Sequence, residues 1–154
     1  MKTRRFLIPI ALLLFVLNAC KDNEVSPLSY SSIEQEIHDL INVHRASLGK
    51  TSLRFNAVLM QAAVDHTEYQ IKNNNISHDL FQERMDPLYD ALNGSKVGEN
   101  VAFNQNSAQK VVASWLASAG HKANIEGDFN LAAICARQNN QGQYYFTHIF
   151  LKQK

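Results

Sequence analysis

Leu131-Ala132-Ala133-Ile134-Cys135-Ala136-Arg137 and Gln143-Tyr144-Tyr145-Phe146-Thr147-His148-Ile149-Phe150-Leu151-Lys152 decide the fold. Between them lies Asn139-Asn140-Gln141-Gly142, a turn composition, so the pair reads as a β-hairpin. Alternation puts Tyr144, Phe146, His148 and Phe150 on one face of the last strand. Tyr145, Thr147, Ile149 and Leu151 fall on the other. Both faces are mostly apolar, and so are both faces of 131–136. A sheet that is apolar on both sides must be covered on both sides, and the available covers are helices. The expected fold class is α+β, a three-layer α-β-α sandwich with a small central antiparallel sheet.

The helices are read outward from there. Ser31 and Glu34 have capping-box spacing, and Ile37, Leu40, Ile41, His44 and Leu48 recur at helical intervals before Gly49. Asn56 is positioned to cap a second helix, which Asn73-Asn74-Asn75 ends. Its apolar face holds Leu59, Ala62, Ala63 and His66. Residues 81–92 are expected to form one or two helical turns interrupted at Pro87, and Asn93-Gly94-Ser95 a loop. Val97 to Phe103 is β-like. Ser107 caps a third helix bearing Val111, Val112, Trp115 and Leu116, and Gly120 is expected to stop it.

The chain divides into three parts: residues 1–19, 20–30 and 31–154. Lys2, Arg4 and Arg5 precede an apolar run from Phe6 to Leu17. The run is shorter than the roughly 20 residues a membrane span needs, and it reads as a removable export signal. It closes on Leu17-Asn18-Ala19-Cys20, which resembles a bacterial lipobox with Cys20 as the lipidated residue. Residues 21–30 are polar and contain Pro27, as expected of a tether; Lys21-Asp22 resembles a surface-export signal of lipoproteins. The expected location is therefore the cell envelope, extracytoplasmic and lipid-anchored, with the outer-membrane surface as one site. Removing residues 1–19 leaves 12 Lys/Arg against 14 Asp/Glu, a net charge of about −2. That is not the basic footprint of a nucleic-acid binder. Cys135 is then the one remaining cysteine, so the domain holds no internal disulfide. Its apolar neighbours mark it as a buried hydrophobe rather than a nucleophile.

Six histidines are present, and they carry unequal weight. His44 and His66 fall on apolar helix faces and read as core or boundary residues; His38 reads as exposed. His148 belongs either in the core or on a cleft wall. His78, Glu99 and His121 each lie at a junction between elements, where a scaffold presents functional groups. Glu99 shares a face with Val97, Val101 and Phe103. Either it finds donors, a cation or a proton there, or Gly98 bends the strand and turns it to water.

Asn42 and Arg45 in the first helix begin an ordered set of motifs. Ile76-Ser77-His78, Gly98-Glu99-Asn100-Val101, Trp115-Leu116-Ala117-Ser118-Ala119-Gly120-His121-Lys122-Ala123-Asn124-Ile125 and Tyr145-Phe146-Thr147-His148-Ile149-Phe150 follow. Together they resemble the bacterial branch of the CAP superfamily, also called SCP-like, over about residues 33–152. The superfamily joins cysteine-rich secretory, antigen-five and pathogenesis-related-one proteins. The resemblance implies an α-β-α sandwich with a central cleft. In the eukaryotic members that cleft holds two histidines and two glutamates. Their positions correspond to His78, Glu99 and His121, with Ser118 where the second glutamate would stand. Glutamine is common near His148.

His78, His121 and Glu99 are thus candidate ligands for a divalent metal such as zinc, and the same three are the catalytic candidates. Ser118 and His148 complete the candidate cleft. A bound metal would make a hydroxide from water, giving a hydrolase of a cell-wall, peptide or ester substrate. No carboxylate would then remain as general base, and Ser77 and Ser118 read as helix-end caps rather than nucleophiles. The preferred reading is a binding module rather than an enzyme, gripping in the cleft either a divalent ion or a lipid, sterol or cell-wall ligand. A purely structural His/Glu network is the third reading.

Overall fold

The computed structural model describes residues 29–154; the export signal, Cys20 and Lys21-Asp22 lie outside the described residues. Among the described residues, five helices surround one four-stranded sheet: α1 (Ser32–Ser47), β1 (Arg54–Phe55), α2 (Ala57–Asn73), α3 (Phe81–Leu92), β2 (Gly94–Phe103), α4 (Ala108–Ala117), α5 (Ala119–Ile125), β3 (Leu131–Gln138) and β4 (Tyr144–Gln153). The strand order is β1-β3-β4-β2. The hairpin β3–β4 pairs antiparallel, with Ile134 opposite His148, and β2 pairs antiparallel with the other edge of β4. The two-residue β1 adds a short parallel edge to β3, which makes the sheet mixed.

Period-two alternation divides the core as the hairpin sequence requires. Ala132, Ile134, Ala136, Phe146 and Phe150 pack with Ile37 and Ile41 of α1 and Val111, Val112 and Trp115 of α4. On the other face, Leu131, Ala133, Cys135, Ile149 and Leu151 pack with Leu59, Met60 and Ala63 of α2 and Met85 and Leu88 of α3. Cys135 is a fully buried free thiol, and burial pushes its pKa up to about 11.

Local signals explain most element ends. Glu34 Oε2 accepts the Ser31 N–H at 2.7 Å, and Oε1 of the same buried carboxylate accepts the Ala136 N–H at 2.7 Å, tying α1 to β3. Asn56 caps α2 through Val58 and Leu59, and Asn74 ends it in the left-handed conformation. Ser107 caps α4 through Lys110.

Four sequence expectations are corrected. Pro87 does not interrupt α3: it lies on the exposed side, while Met85, Leu88 and Leu92 hold the helix to the core. Strand β2 starts at Gly94 rather than Val97, because Gly94 finds a partner in Gln153. Gly120 does not stop a helix; α4 ends at Ala117, and Gly120 lies inside α5. His38 is buried, not exposed. Asn42 Nδ2 donates to its Nε2 at 3.1 Å, which leaves Nδ1–H to donate to Tyr30 Oη at 3.3 Å. His44, by contrast, is half-exposed at the α1 end and donates to Glu126 at 2.9 Å.

Arg45 fixes α1 to the loop after α5. It is 1% exposed, and its guanidinium donates to the carbonyls of Thr51, Ile125, Gly127 and Phe129. Methionine replaces the aliphatic stem but has no donors, so Arg45→Met would strand those carbonyls. It should destabilise the protein by about 3 kcal/mol and lower Tm by ~10 °C in thermal unfolding. A Tm within ~2 °C of wild type would show that the clasp is dispensable.

Candidate functional site

Glu99 organises the site. Strand β2 carries it to the α2/α3 face opposite Ile149, where it is 5% exposed. The alternative of a carboxylate turned to water therefore does not hold. Arg84, projecting from α3, donates from Nη1 to Oε2 at 2.7 Å and from Nη2 to Oε1 at 3.0 Å. His78, in the loop after α2, brings Nδ1 to Oε1 at 2.8 Å. A carboxylate can only accept, so Nδ1 carries the hydrogen and neutral His78 has an unprotonated Nε2. Burial alone would raise the Glu99 carboxyl pKa. The hydrogen bonds from His78 and Arg84 and the Arg84 charge outweigh it, and the net shift is downward.

His66 of α2 closes the other side. It is 1% exposed, its Nε2–H donates to Ser77 O at 2.8 Å, and the same nitrogen lies 3.9 Å from Glu99 Oε1. Its ring stacks on Tyr69, with centroids 5.8 Å apart. Burial chiefly depresses its pKa, so the ring stays neutral.

The Gly-Glu-Asn and Gly-His-Lys-Ala-Asn motifs form one clasp. Asn124 Nδ2 donates to Glu99 O at 3.0 Å and to Asn100 Oδ1 at 2.9 Å, while Asn100 Nδ2 donates to His121 O at 3.1 Å. A Cβ on Gly98 would fall 2.7 Å from Asn124 Oδ1, which is why this position takes glycine. The clasp sets α5 against β2 and brings His121 near His78. Burial is the main cause that lowers the His121 pKa.

The structure brings together some of the sequence-selected residues and separates others. His78 and Glu99 touch, and they form with Phe81, Val97, Gly98 and Asn124 the walls of a groove of about 330 Å³. Ser118 sits half-buried between α4 and α5 and lines no part of this groove. His148 lies opposite Asn100, on the other face of the sheet. It is fully buried, its ring 4.0 Å from that of Phe150 and 5.7 Å from that of Trp115. It belongs to the core and not to the cleft. Sequence reasoning missed Arg84, which lay in the segment expected to break at Pro87, and it read His66 as a core or boundary residue outside the site. The one signal pointing to Arg84 was the need of a buried Glu99 for a cation.

The donor set does not fit a metal. Both Glu99 oxygens are committed, one of them to two donors, and a guanidinium stands where a cation would bind. Among the described residues no group of three or more His, Cys, Asp or Glu is arranged to hold an ion. The arrangement can instead hold His78 in one tautomer, with Nε2 as a hydrogen-bond acceptor on a half-exposed side chain.

Two titrations follow. Arg84→Met would leave the buried carboxylate without its bidentate partner. It should cost about 3–5 kcal/mol at neutral pH and raise the Glu99 pKa, readable by carboxyl ¹³C NMR. His148 is held neutral in the fold by burial, well below its usual 6.5, whereas the unfolded chain can protonate it. Stability is therefore lost as pH falls below 6.5, by about 1.4 kcal/mol per pH unit for this group. The Glu99 contribution is present above the ordinary carboxyl value of 4.5 and is lost only below it. Between these windows the Tm of His148→Gln should vary less with pH than that of wild type. Equal slopes would show that His148 does not govern the acid limb.

Comparison with known proteins gives a consistent result. A family model described as the cysteine-rich secretory protein family, CAP, matches residues 38–150. The uncharacterized membrane protein YlbC of Bacillus subtilis is 30% identical over 126 residues, covering 78% of this chain but 34% of that protein. YkwD of the same organism is 25% identical, covering 65% of this chain and 40% of its own length. The chain thus spans about a third to two fifths of these curated relatives. Among solved structures, an outer surface protein of Borrelia burgdorferi superposes with TM-score 0.73 at 21% identity, over 82% of this chain and 97% of that one. An extracellular SCP-domain protein of Bacillus anthracis gives 0.68 at 22% identity, over 78% and 40% respectively.

Proposed function

This chain belongs to the cysteine-rich secretory protein (CAP) family, and from that premise we propose that it is an extracytoplasmic, lipid-anchored binding module. Its His78–Glu99 groove takes a small ligand and turns nothing over. The observation that carries this reading is the fixed tautomer of His78. Glu99 Oε1 holds Nδ1–H at 2.8 Å, so Nε2 offers an acceptor to a ligand hydroxyl or amide. Phe81 and Val97 supply apolar wall beside it. A lipid, sterol or cell-wall fragment presenting a hydroxyl has the matching chemistry. Envelope location is supported by the lipobox-like Leu17-Asn18-Ala19-Cys20 and by the outer-surface and extracellular relatives. Metal-dependent hydrolysis is the weaker reading, because Arg84 occupies the coordination space of Glu99.

A ligand panel of hydroxyl-bearing lipids, sterols and cell-wall fragments, read by thermal shift and calorimetry on the full chain, tests this. A ligand of this groove should bind about tenfold more weakly to His78→Phe, the loss of one hydrogen bond. The protein should take up no zinc at micromolar concentration. Zinc uptake that vanishes in both His78→Ala and His121→Ala, with turnover of an ester or peptide substrate, would replace the binding reading with the hydrolase. Cys20→Ser should lose acyl labelling and leave the membrane fraction, since lipid chains contribute about 0.8 kcal/mol per buried methylene.

A further inference from the structure

We infer that the trough between α2 and α3 docks a cationic amphipathic helix of a partner protein. Two hollows of about 190 Å³ and about 520 Å³ form it, and they are continuous, because Asp65 and Arg84 line both. On the α2 side the wall runs through Val58, Ala62, Asp65 and Tyr69, which share one helix face. Leu80, Arg84 and Leu88 form the opposite wall, at the head of α3 and along it. The surface these walls offer is chiefly apolar. Val58 is 44% exposed, Tyr69 38% and Leu80 60%. A joined apolar surface of this kind marks a place where another molecule packs. Leu80 adds a separate sign. Its φ of 53° lies in the left-handed region, where a leucine is strained, and its exposure means that little burial within the chain offsets the strain. A partner packed over Leu80 supplies that burial.

Charge identifies the occupant. Residues 57–92, which span α2 and α3, carry Asp65, Glu68, Asp79, Glu83, Asp86 and Asp90 against Lys72 and Arg84, a net charge of −4. Residues 93–154 carry six Lys/Arg against three Asp/Glu, or +3, so negative charge is concentrated in the α2/α3 layer. Among the described residues none of those six carboxylates is ion-paired. Asp65 and Asp79 stand on the trough itself, and Arg84, the cation on its wall, is engaged by Glu99. Lysines or arginines flanking an apolar stripe complement this surface, and an acidic head group is repelled. The shape specifies a helix. Val58 and Tyr69 are eleven residues apart on α2, about 16 Å or three turns. The helices on either side have no free backbone groups to offer, so an extended segment would lie there with its own N–H and C=O groups unpaired. A helix pairs its own backbone and presents apolar residues at helical spacing.

The probe is a peptide of about twelve residues, enough for three turns, with leucines on one helix face and lysines on its flanks. Two control peptides share its leucines. One replaces every lysine by glutamate, and the other scrambles the order so that no apolar face forms. Titration of the full chain, produced without an acyl group, should show saturable one-to-one binding of the lysine peptide that weakens as salt is raised. Each control should bind about tenfold more weakly or less. Asp65→Asn keeps an acceptor for Gln61 and should weaken the lysine peptide about threefold. Leu80→Asn suits the left-handed backbone, so it should keep or raise Tm while weakening the peptide about fivefold. Val58→Ser, on the other wall, should weaken it about threefold, a readout that stands if Leu80→Asn fails to fold. Either control peptide binding as tightly as the lysine peptide would overturn the assignment. So would Leu80→Asn and Val58→Ser that both bind unchanged. A dimer of the chain that these substitutions dissociate, without peptide binding, would give the trough to a second copy instead. Saturable uptake of a neutral alkyl detergent, again without peptide binding, would give it to a lipid tail.

Discussion

Everything in this molecule rests on the double-sided burial of two strands. β3 and β4 are enclosed on both faces, so neither cover can be omitted without opening the hairpin to water. Burial of apolar side chains at about 25 cal/mol per Å² makes that enclosure the dominant favourable term. The α1/α4 layer and the α2/α3 layer are the two answers to one constraint. Polar ties then fix where the covers sit. Glu34 joins α1 to β3, Arg45 joins α1 to the loop after α5, and Asn124 joins α5 to β2.

The site grows out of the same constraint at its margin. β2 lies at the sheet edge, and Glu99 is buried where that strand meets the α2/α3 cover. A carboxylate stranded there must be neutralised, and three elements contribute: Arg84 from α3, His78 from the loop after α2, and His66 from α2 itself. One acid therefore orders two hollows. Glu99 lines the His78 groove, and its partner Arg84 lines the hollow beside His66. The imidazoles bordering them are each held in a single tautomer by an acceptor oxygen, Glu99 Oε1 for His78 and Ser77 O for His66.

The motifs that marked the family have structural work in this fold. Gly98, Asn100 and Asn124 form a clasp in which no Cβ fits at Gly98. The Asn100 and Asn124 amides bond to one another and to the backbone carbonyls of Glu99 and His121. His148 illustrates the opposite case. Its position in a motif suggested a cleft, but strand parity sends it to the other face, between Trp115 and Phe150.

The sequence by itself determined the hairpin, the two-sided core and the caps at Asn56 and Ser107, because these follow from local periodicity; it singled out Glu99 but left open whether the carboxylate is paired or turned to water. It also selected His78, whose loop position distinguished it from the helix-borne histidines. What only the tertiary structure decided was partnership. Arg84 meets Glu99 across 15 residues and His66 approaches it across 33, through the packing of α2 and α3 on β2. Continuity of α3 through Pro87 depends likewise on Met85, Leu88 and Leu92 reaching the core. Local propensity sees a proline; the buried face that overrides it exists only once the sheet is assembled.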